Sequence, residues 1–222
     1  MNPSAELPSS VTLIRLMGVV SLICGLLIVG THLGTLDPIR RNQETILRET
    51  VAQLLPGVSR QVTYGVDASG ELKILTGADS LGPRFFAGYD GSGELLGVVI
   101  EASERGYADV IRAMYAYSPE KEQIVDFRVL EMKETPGLGD KINSDSGFLA
   151  NFRGLAARLD PSGKLEHAIV AVKHGTKKNP WEVDAISGAT ISSRAVGRML
   201  DKSAAQMLPL VRRNLERIRR AE

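Results

Sequence analysis

Hydrophobic positions along the chain fall into one unbroken run, a stretch of alternation and two amphipathic segments. The unbroken run covers residues 16–36, which hold 21 residues without a formal charge and eleven Leu, Ile or Val side chains. A helix of that length spans about 30 Å, the thickness of a hydrocarbon core. Leu, Ile and Val contribute roughly −0.3 to −0.6 kcal/mol each on insertion, which outweighs the single His32 near the end. The run is expected to be an uncleaved membrane span. A signal peptide has a shorter apolar region that ends in a small-x-small site, and Thr31-His32-Leu33-Gly34-Thr35 does not supply one. Residues 1–15 precede the span as a short polar leader holding Arg15.

Ile46, Leu47, Val51, Leu54 and Leu55 recur at helical spacing. They lie between Asp37-Pro38, which reads as a break or a helix start, and Pro56-Gly57, which reads as a stop. Residues 37–57 are therefore expected to form a linker helix, and residues 58–222 a single domain in which the period first moves toward two. Residues 84–89 and 94–101 flank Asp90-Gly91-Ser92-Gly93 as a hairpin, and residues 107–117 and 124–132 pair around Ser118-Pro119-Glu120-Lys121. Phe148, Leu149 and Phe152 suggest a short helix, and residues 164–173 a further strand. A long amphipathic helix follows, marked by Ile191, Ala195, Met199, Ala204, Met207, Val211 and Ile218; it is expected to cover the sheet and to kink at Pro209. The pattern is α+β, with one N-terminal transmembrane helix ahead of an antiparallel sheet and packed helices.

Twenty-seven basic against 26 acidic residues leave a formal charge of +1, and five Phe, five Tyr and one Trp make a thin aromatic supply. Neither the charge nor the aromatics mark a nucleic-acid binder. His32, His167 and His174 are scattered and Cys24 is the single cysteine, so no metal set or intrachain disulfide is proposed. No nucleophile-base arrangement stands out and no catalytic residue is assigned. Redox work would need a cofactor. Arg212, Arg213, Arg217, Arg219 and Arg220 crowd the last helix. Favourable placement at a negative helix end explains them more simply than docking to a membrane or another protein.

Two stretches carry candidate chemistry. Asp184-Ala185-Ile186-Ser187-Gly188-Ala189-Thr190 sets a glycine-containing turn directly before the amphipathic helix. Unpaired N–H groups and the positive end of the macrodipole at a helix start favour a bound phosphate. Gly188 and Ala189 leave room for a phosphate ester to approach and for an enzyme to reach the Thr190 hydroxyl. A plain helix cap by Ser187 or Thr190 fits the same residues. Earlier, Glu134-Thr135-Pro136-Gly137-Leu138-Gly139-Asp140-Lys141-Ile142 follows directly on an expected strand. Pro136 holds Thr135 extended while Gly137 and Gly139 permit positive φ, so this loop should be rigid.

Asp-x-x-Ser-Gly-Ala-Thr resembles the flavinylation motif of FMN-binding domains, in which the threonine hydroxyl carries FMN through a phosphoester bond. The Glu-Thr-Pro-Gly-Leu-Gly-Asp-Lys-Ile stretch resembles the second signature of one branch. That branch holds the G subunit of the Rnf electron transport complex and the C subunit of the sodium-pumping quinone reductase. The resemblance covers roughly residues 10–215, and the single domain favours the Rnf side. It implies FMN on Thr190, attached by a separate flavin transferase, with Ser187, Gly188 and Ala189 shaping the phosphate region and Asp184 in the recognition pattern. It implies a ring wall from the earlier loop, with Thr135 and Leu138 the positions most like flavin neighbours and Glu134 beside them.

The implied function is an electron relay inside an ion-translocating ferredoxin:NAD oxidoreductase complex. Other membrane subunits and membrane lipid would be its partners. The implied place is the inner membrane, single-pass, with the flavin domain on the periplasmic side. Arg40, Arg41 and Arg48 after the span, against Arg15 before it, would alone favour a cytoplasmic domain. Long domains translocate largely regardless of charge. The family often carries histidine just before the second loop, where this chain has Met132-Lys133, a departure that bears on flavin tuning rather than attachment. Three other readings remain: a membrane-anchored flavin reductase acting alone, the equivalent quinone-reductase protein, and a non-redox anchor.

Overall fold

The computed structural model describes residues 9–66, 72–75 and 84–221. Residues 1–8 of the expected leader and the side chains of Arg40, Arg41 and Gln43 lie outside this description. The chain divides after Ile46 into two units.

The first unit is helical. Helix α1, Ser10–Leu54, contains the expected span and runs through Pro38 without the break that the sequence suggested. A proline removes one N–H and crowds one carbonyl a turn earlier, and the helix continues around that defect. Large apolar side chains from Val11 to Leu33 stand exposed, and the most apolar stretch has a mean hydropathy of 2.4. This helix is long and apolar enough to cross a membrane. The two threonines of its apolar run are satisfied within the helix: Thr31 Oγ1 donates to Leu27 O at 2.7 Å and Thr35 Oγ1 to Thr31 O at 2.8 Å. Such back-bonding is what a hydroxyl in hydrocarbon requires.

The second unit begins at Leu47, so the last turns of α1 belong to it. Seven strands form one antiparallel sheet: β1 Arg60–Val66, β2 Leu72–Ile74, β3 Arg84–Tyr89, β4 Leu95–Arg105, β5 Val110–Ser118, β6 Gln123–Glu131 and β7 Leu155–Ala156. Their order is β2-β1-β3-β4-β5-β6-β7. The two expected hairpins are the β3–β4 and β5–β6 pairs. At the first turn Asp90 Oδ1 accepts from the amides of Ser92 and Glu94 at 2.8 and 2.9 Å. Strands β8 Val170–Val172 and β9 Glu182–Asp184 make a separate parallel pair, so the strand expected over 164–173 shrinks to three residues. Short helices α2, Ser146–Ala150, and α4, Leu215–Arg220, flank the long α3, Thr190–Arg213.

Both faces of the central strands are covered. Phe85, Ile100, Tyr115 and Phe127 are cross-strand neighbours on one face and pack under Val196, Met199, Leu200, Met207 and Leu208 of α3. Phe86, Val99, Met114 and Ala116 point the other way and meet Val51, Leu54 and Leu55. Helix α3 runs through Pro209, and the long helix expected as far as Ile218 is interrupted at Asn214, whose backbone N and Nδ2 both donate to Leu210 O. The basic cluster is partly absorbed here, since Arg212 Nη1 donates to Asp160 O at 2.9 Å and Arg219 pairs with Glu216.

Helix α3 meets β8 at Gly197, where an added Cβ would lie 2.9 Å from the Ala171 backbone nitrogen. Backbone cannot swing aside, so Gly197→Ala should cost about 1–3 kcal/mol through overpacking. A lowered denaturant midpoint with unchanged slope would show it; an unchanged midpoint would contradict the close approach.

Beyond the apolar patch, the α1 side of the sheet carries a charge ladder. Arg84 and Arg112 reach Glu101 at 3.1 and 2.5 Å, and Arg112 also reaches Glu131 at 3.3 Å. Burial opposes ionisation of Glu101, but hydrogen bonds and charge from Arg112 and Arg84 outweigh it and hold the carboxyl below its ordinary value of 4.5. A depressed native value stabilises the fold above the unfolded-state value, and that contribution is lost as pH falls through the native one. Unfolding midpoints of the full chain in detergent should therefore separate wild type from Glu101→Gln at neutral pH. They should converge below the ordinary carboxylate range; a gap that persists in acid would contradict the linkage.

Candidate functional site

The two motifs meet at the start of α3. Residues 186–189 form a tight turn closed by Ala189 N donating to Ile186 O at 3.1 Å, with Gly188 at φ +84°. That conformation suits glycine at the third turn position. Ala189 is the residue before the helix, and no side chain caps α3. The cap reading for Ser187 or Thr190 thus finds no such bond, and the first amides keep no side-chain partner.

Burial sorts the hydroxyls of this segment. Ser192 is 2% exposed and donates to Glu134 Oε2 at 2.5 Å. Ser193 is fully buried, donating to Ala189 O at 2.9 Å and accepting from Ile186 N at 3.1 Å. Ser187 is exposed and Thr190 half-buried. A modifying enzyme could reach only Ser187 and Thr190 without unfolding the turn.

The second loop lies against this turn. Leu138 N donates to Thr135 O at 3.2 Å, Gly137 has φ +76°, and Gly139–Asn143 continue as a 3-10 turn. Leu138 is 49% exposed, and its Cδ2 lies 3.7 Å from where a Gly188 Cβ would be. Ile191, next to Thr190, is also exposed. Apolar side chains left in solvent beside a reachable hydroxyl suit a planar, partly apolar group. Two clefts, of about 420 Å³ and 230 Å³, are lined by none of the eight candidate residues.

Two candidate carboxylates are held by the chain itself, Glu134 inside the domain and Asp184 half-buried. Glu134 is buried, and its carboxylate accepts from Tyr107 N at 3.0 Å, Ala108 N at 3.1 Å and the Ser192 hydroxyl. Gly139 is pressed against the same carboxylate, where a Cβ would come within 2.6 Å of Oε2. Asp184 Oδ1 accepts from Gly175 N at 2.7 Å, and Oδ2 is 3.4 Å from His174 Nδ1. Thr135 and Ser187 are exposed, and Ala189 is buried.

Asn151 had no signal in the sequence. Buried Asn151 grips both sides of the Asp184 backbone, accepting from its N at 3.0 Å and donating to its O at 3.3 Å. Its own α2 carbonyls and Lys177 complete the set.

The FMN-binding domain family matches residues 106–205, a span that includes both loops. The G subunit of the ion-translocating oxidoreductase complex of Methanosarcina acetivorans is 31% identical over 183 residues, covering 81% of this chain and 85% of that protein. The chain belongs to the G-subunit family of ion-translocating oxidoreductase complexes. A further member, the G subunit of the proton-translocating ferredoxin:NAD(+) oxidoreductase complex of Clostridium ljungdahlii, is 31% identical over 109 residues, 49% of this chain and 52% of that one. Among solved structures, NqrC of Shewanella oneidensis superposes with a TM-score of 0.56 at 23% identity, covering 72% of this chain and 86% of its own. That likeness supports the α+β architecture of this chain.

Proposed function

We propose that this chain is the membrane-anchored flavoprotein of an Rnf-type complex, with FMN joined through a phosphoester to Thr190. The observation that carries the proposal is a half-buried Thr190 at an uncapped helix start, with the Leu138 loop against the turn. Family membership and the FMN-binding domain supply the cofactor's identity.

In this reading the amides at the head of α3 face the phosphodiester, whose negative charge the macrodipole favours. Gly188 keeps the turn open, since a side chain there would meet both positive φ and Leu138. Leu138, Thr135 and Ile191 seat the ring at the surface, within reach of a partner protein. Glu134 and Asp184 act as struts. FMN, when bound, supplies one- and two-electron chemistry that no side chain here possesses. A flavin transferase installs it from FAD, the chain being substrate and not catalyst. The domain stands on the periplasmic side, where covalent attachment prevents loss of the cofactor, and the other members of the complex are its electron neighbours.

Intact-mass measurement of chain co-expressed with a flavin transferase, followed by peptide mapping, tests this. One FMN increment on the peptide holding Thr190 is expected. A label on Ser187, or an unlabelled chain, would reject the assignment.

A further inference from the structure

The chain has ten Tyr and Phe side chains, and nine of them are buried. Tyr107 is the tenth, 64% exposed. A ring with that much of its surface in water contributes little apolar burial to the fold, which leaves its face available to a planar ligand.

That place is next to the Thr190 turn. Tyr107 lies in the connection between β4 and β5, closed by Gly106 N donating to Asp109 O at 2.8 Å. Its amide and that of Ala108 donate to one oxygen of Glu134, and the other oxygen takes the Ser192 hydroxyl in the first turn of α3. A single carboxylate therefore separates the Tyr107 backbone from the helix that begins with Thr190. The same carboxylate belongs to the residue before Thr135. The connection has no slack: a Cβ on Gly106 would collide with Glu134 Oε1, and Lys133 Nζ reaches Asp109 Oδ2 at 3.4 Å. Tyr107 is thus held firmly at its backbone while its ring remains free to cover a neighbour.

We infer that Tyr107 is the aromatic partner of the flavin ring, an inference that rests on the attachment proposed above. A phosphate, a ribityl chain and three fused rings extending from Thr190 reach past one carboxylate. A tyrosine ring offers them an offset-stacked face of the kind that planar groups favour. Tyr107 is then a binding residue of the same seat as Leu138.

The phenol gives this contact a signature independent of turnover. Tyr107 in contact with a light-excited flavin donates one electron to it and recovers that electron in the dark, with no net chemistry and with loss of fluorescence. Full-length chain, flavin-loaded by co-expression with the transferase and purified in detergent, is compared with Tyr107→Leu and Tyr107→Phe by time-resolved flavin emission at equal loading. Both variants are expected to lengthen the lifetime and brighten emission several-fold, Phe because it keeps a ring but donates no electron. Wild-type lifetimes in either variant at equal loading would overturn the role of Tyr107 and leave attachment intact. Failure of wild type to load appears first in the intact mass, and it would overturn both readings.

Discussion

Thr190→Ala is expected to give a full-length, membrane-bound chain that carries no covalent flavin. The side chain is half-buried at the first position of α3 and makes no capping bond, so its removal takes little from the fold. Alanine is the better helix former, and the stability change should stay within about 0.5 kcal/mol. The loss is chemical instead. Ser192 and Ser193 cannot substitute, because their hydroxyls are buried and already bonded to Glu134 and Ala189. On a denaturing gel the fluorescent band should disappear, and the intact mass should fall to that of the bare polypeptide. Ser187→Ala should keep the band, and Thr190→Ser, which retains a hydroxyl in place, should recover part of it. Ferredoxin-dependent electron flow in membranes from cells carrying only Thr190→Ala should drop to the level of cells lacking the chain. A fluorescent band that persists in Thr190→Ala would end the assignment.

The start of α3 was legible because its determinants are local. A glycine turn, a hydroxyl and a run of apolar residues at helical spacing lie within a few positions of one another. The β3–β4 and β5–β6 hairpins were legible for the same reason, each built around a polar turn between apolar runs. Strands β2, β7 and β9 are two or three residues long and carry too little pattern to read. Pro38 misled: in the sequence it reads as a break or a helix start, yet it lies inside α1 as Pro209 lies inside α3, because a single lost N–H costs less than interrupting a helix whose neighbouring turns hold.

The particular hydrogen bonds between distant residues were not legible. Asn151 and Asp184 are 33 positions apart, and Glu134 and Ser192 are 58. No periodicity encodes either pair, yet these two clasps decide how the halves of the site face one another. The motif placed Glu134 among the flavin's neighbours by its position in the chain. The fold turns its carboxylate inward instead, where three donors from the chain already occupy it.

This inward turn sets the second large effect, that of Glu134→Ala. The truncation leaves the buried Ser192 hydroxyl and the part-buried amides of Tyr107 and Ala108 without their acceptor. Each unsatisfied group costs about 1–3 kcal/mol, tempered where water can enter, so a total of about 2–4 kcal/mol is expected. For a domain of this size that lowers the melting temperature by roughly 5–15 °C. With the connection at 106–109 and the Leu138 loop released together, flavin loading on Thr190 should fall as well. Glu134→Gln separates support from contact. Its amide oxygen can still accept from the two backbone amides, and the Ser192 hydroxyl can turn to accept from the new NH₂ group. A strut replaced in this way should lose only about 1 kcal/mol and keep most of the loading. The attached flavin's absorption and potential should change little, because three donors of the chain already hold the carboxylate. If Glu134→Gln instead melted like wild type but shifted the flavin potential, the carboxylate would have to lie against the cofactor, and Glu134 would move from strut to contact.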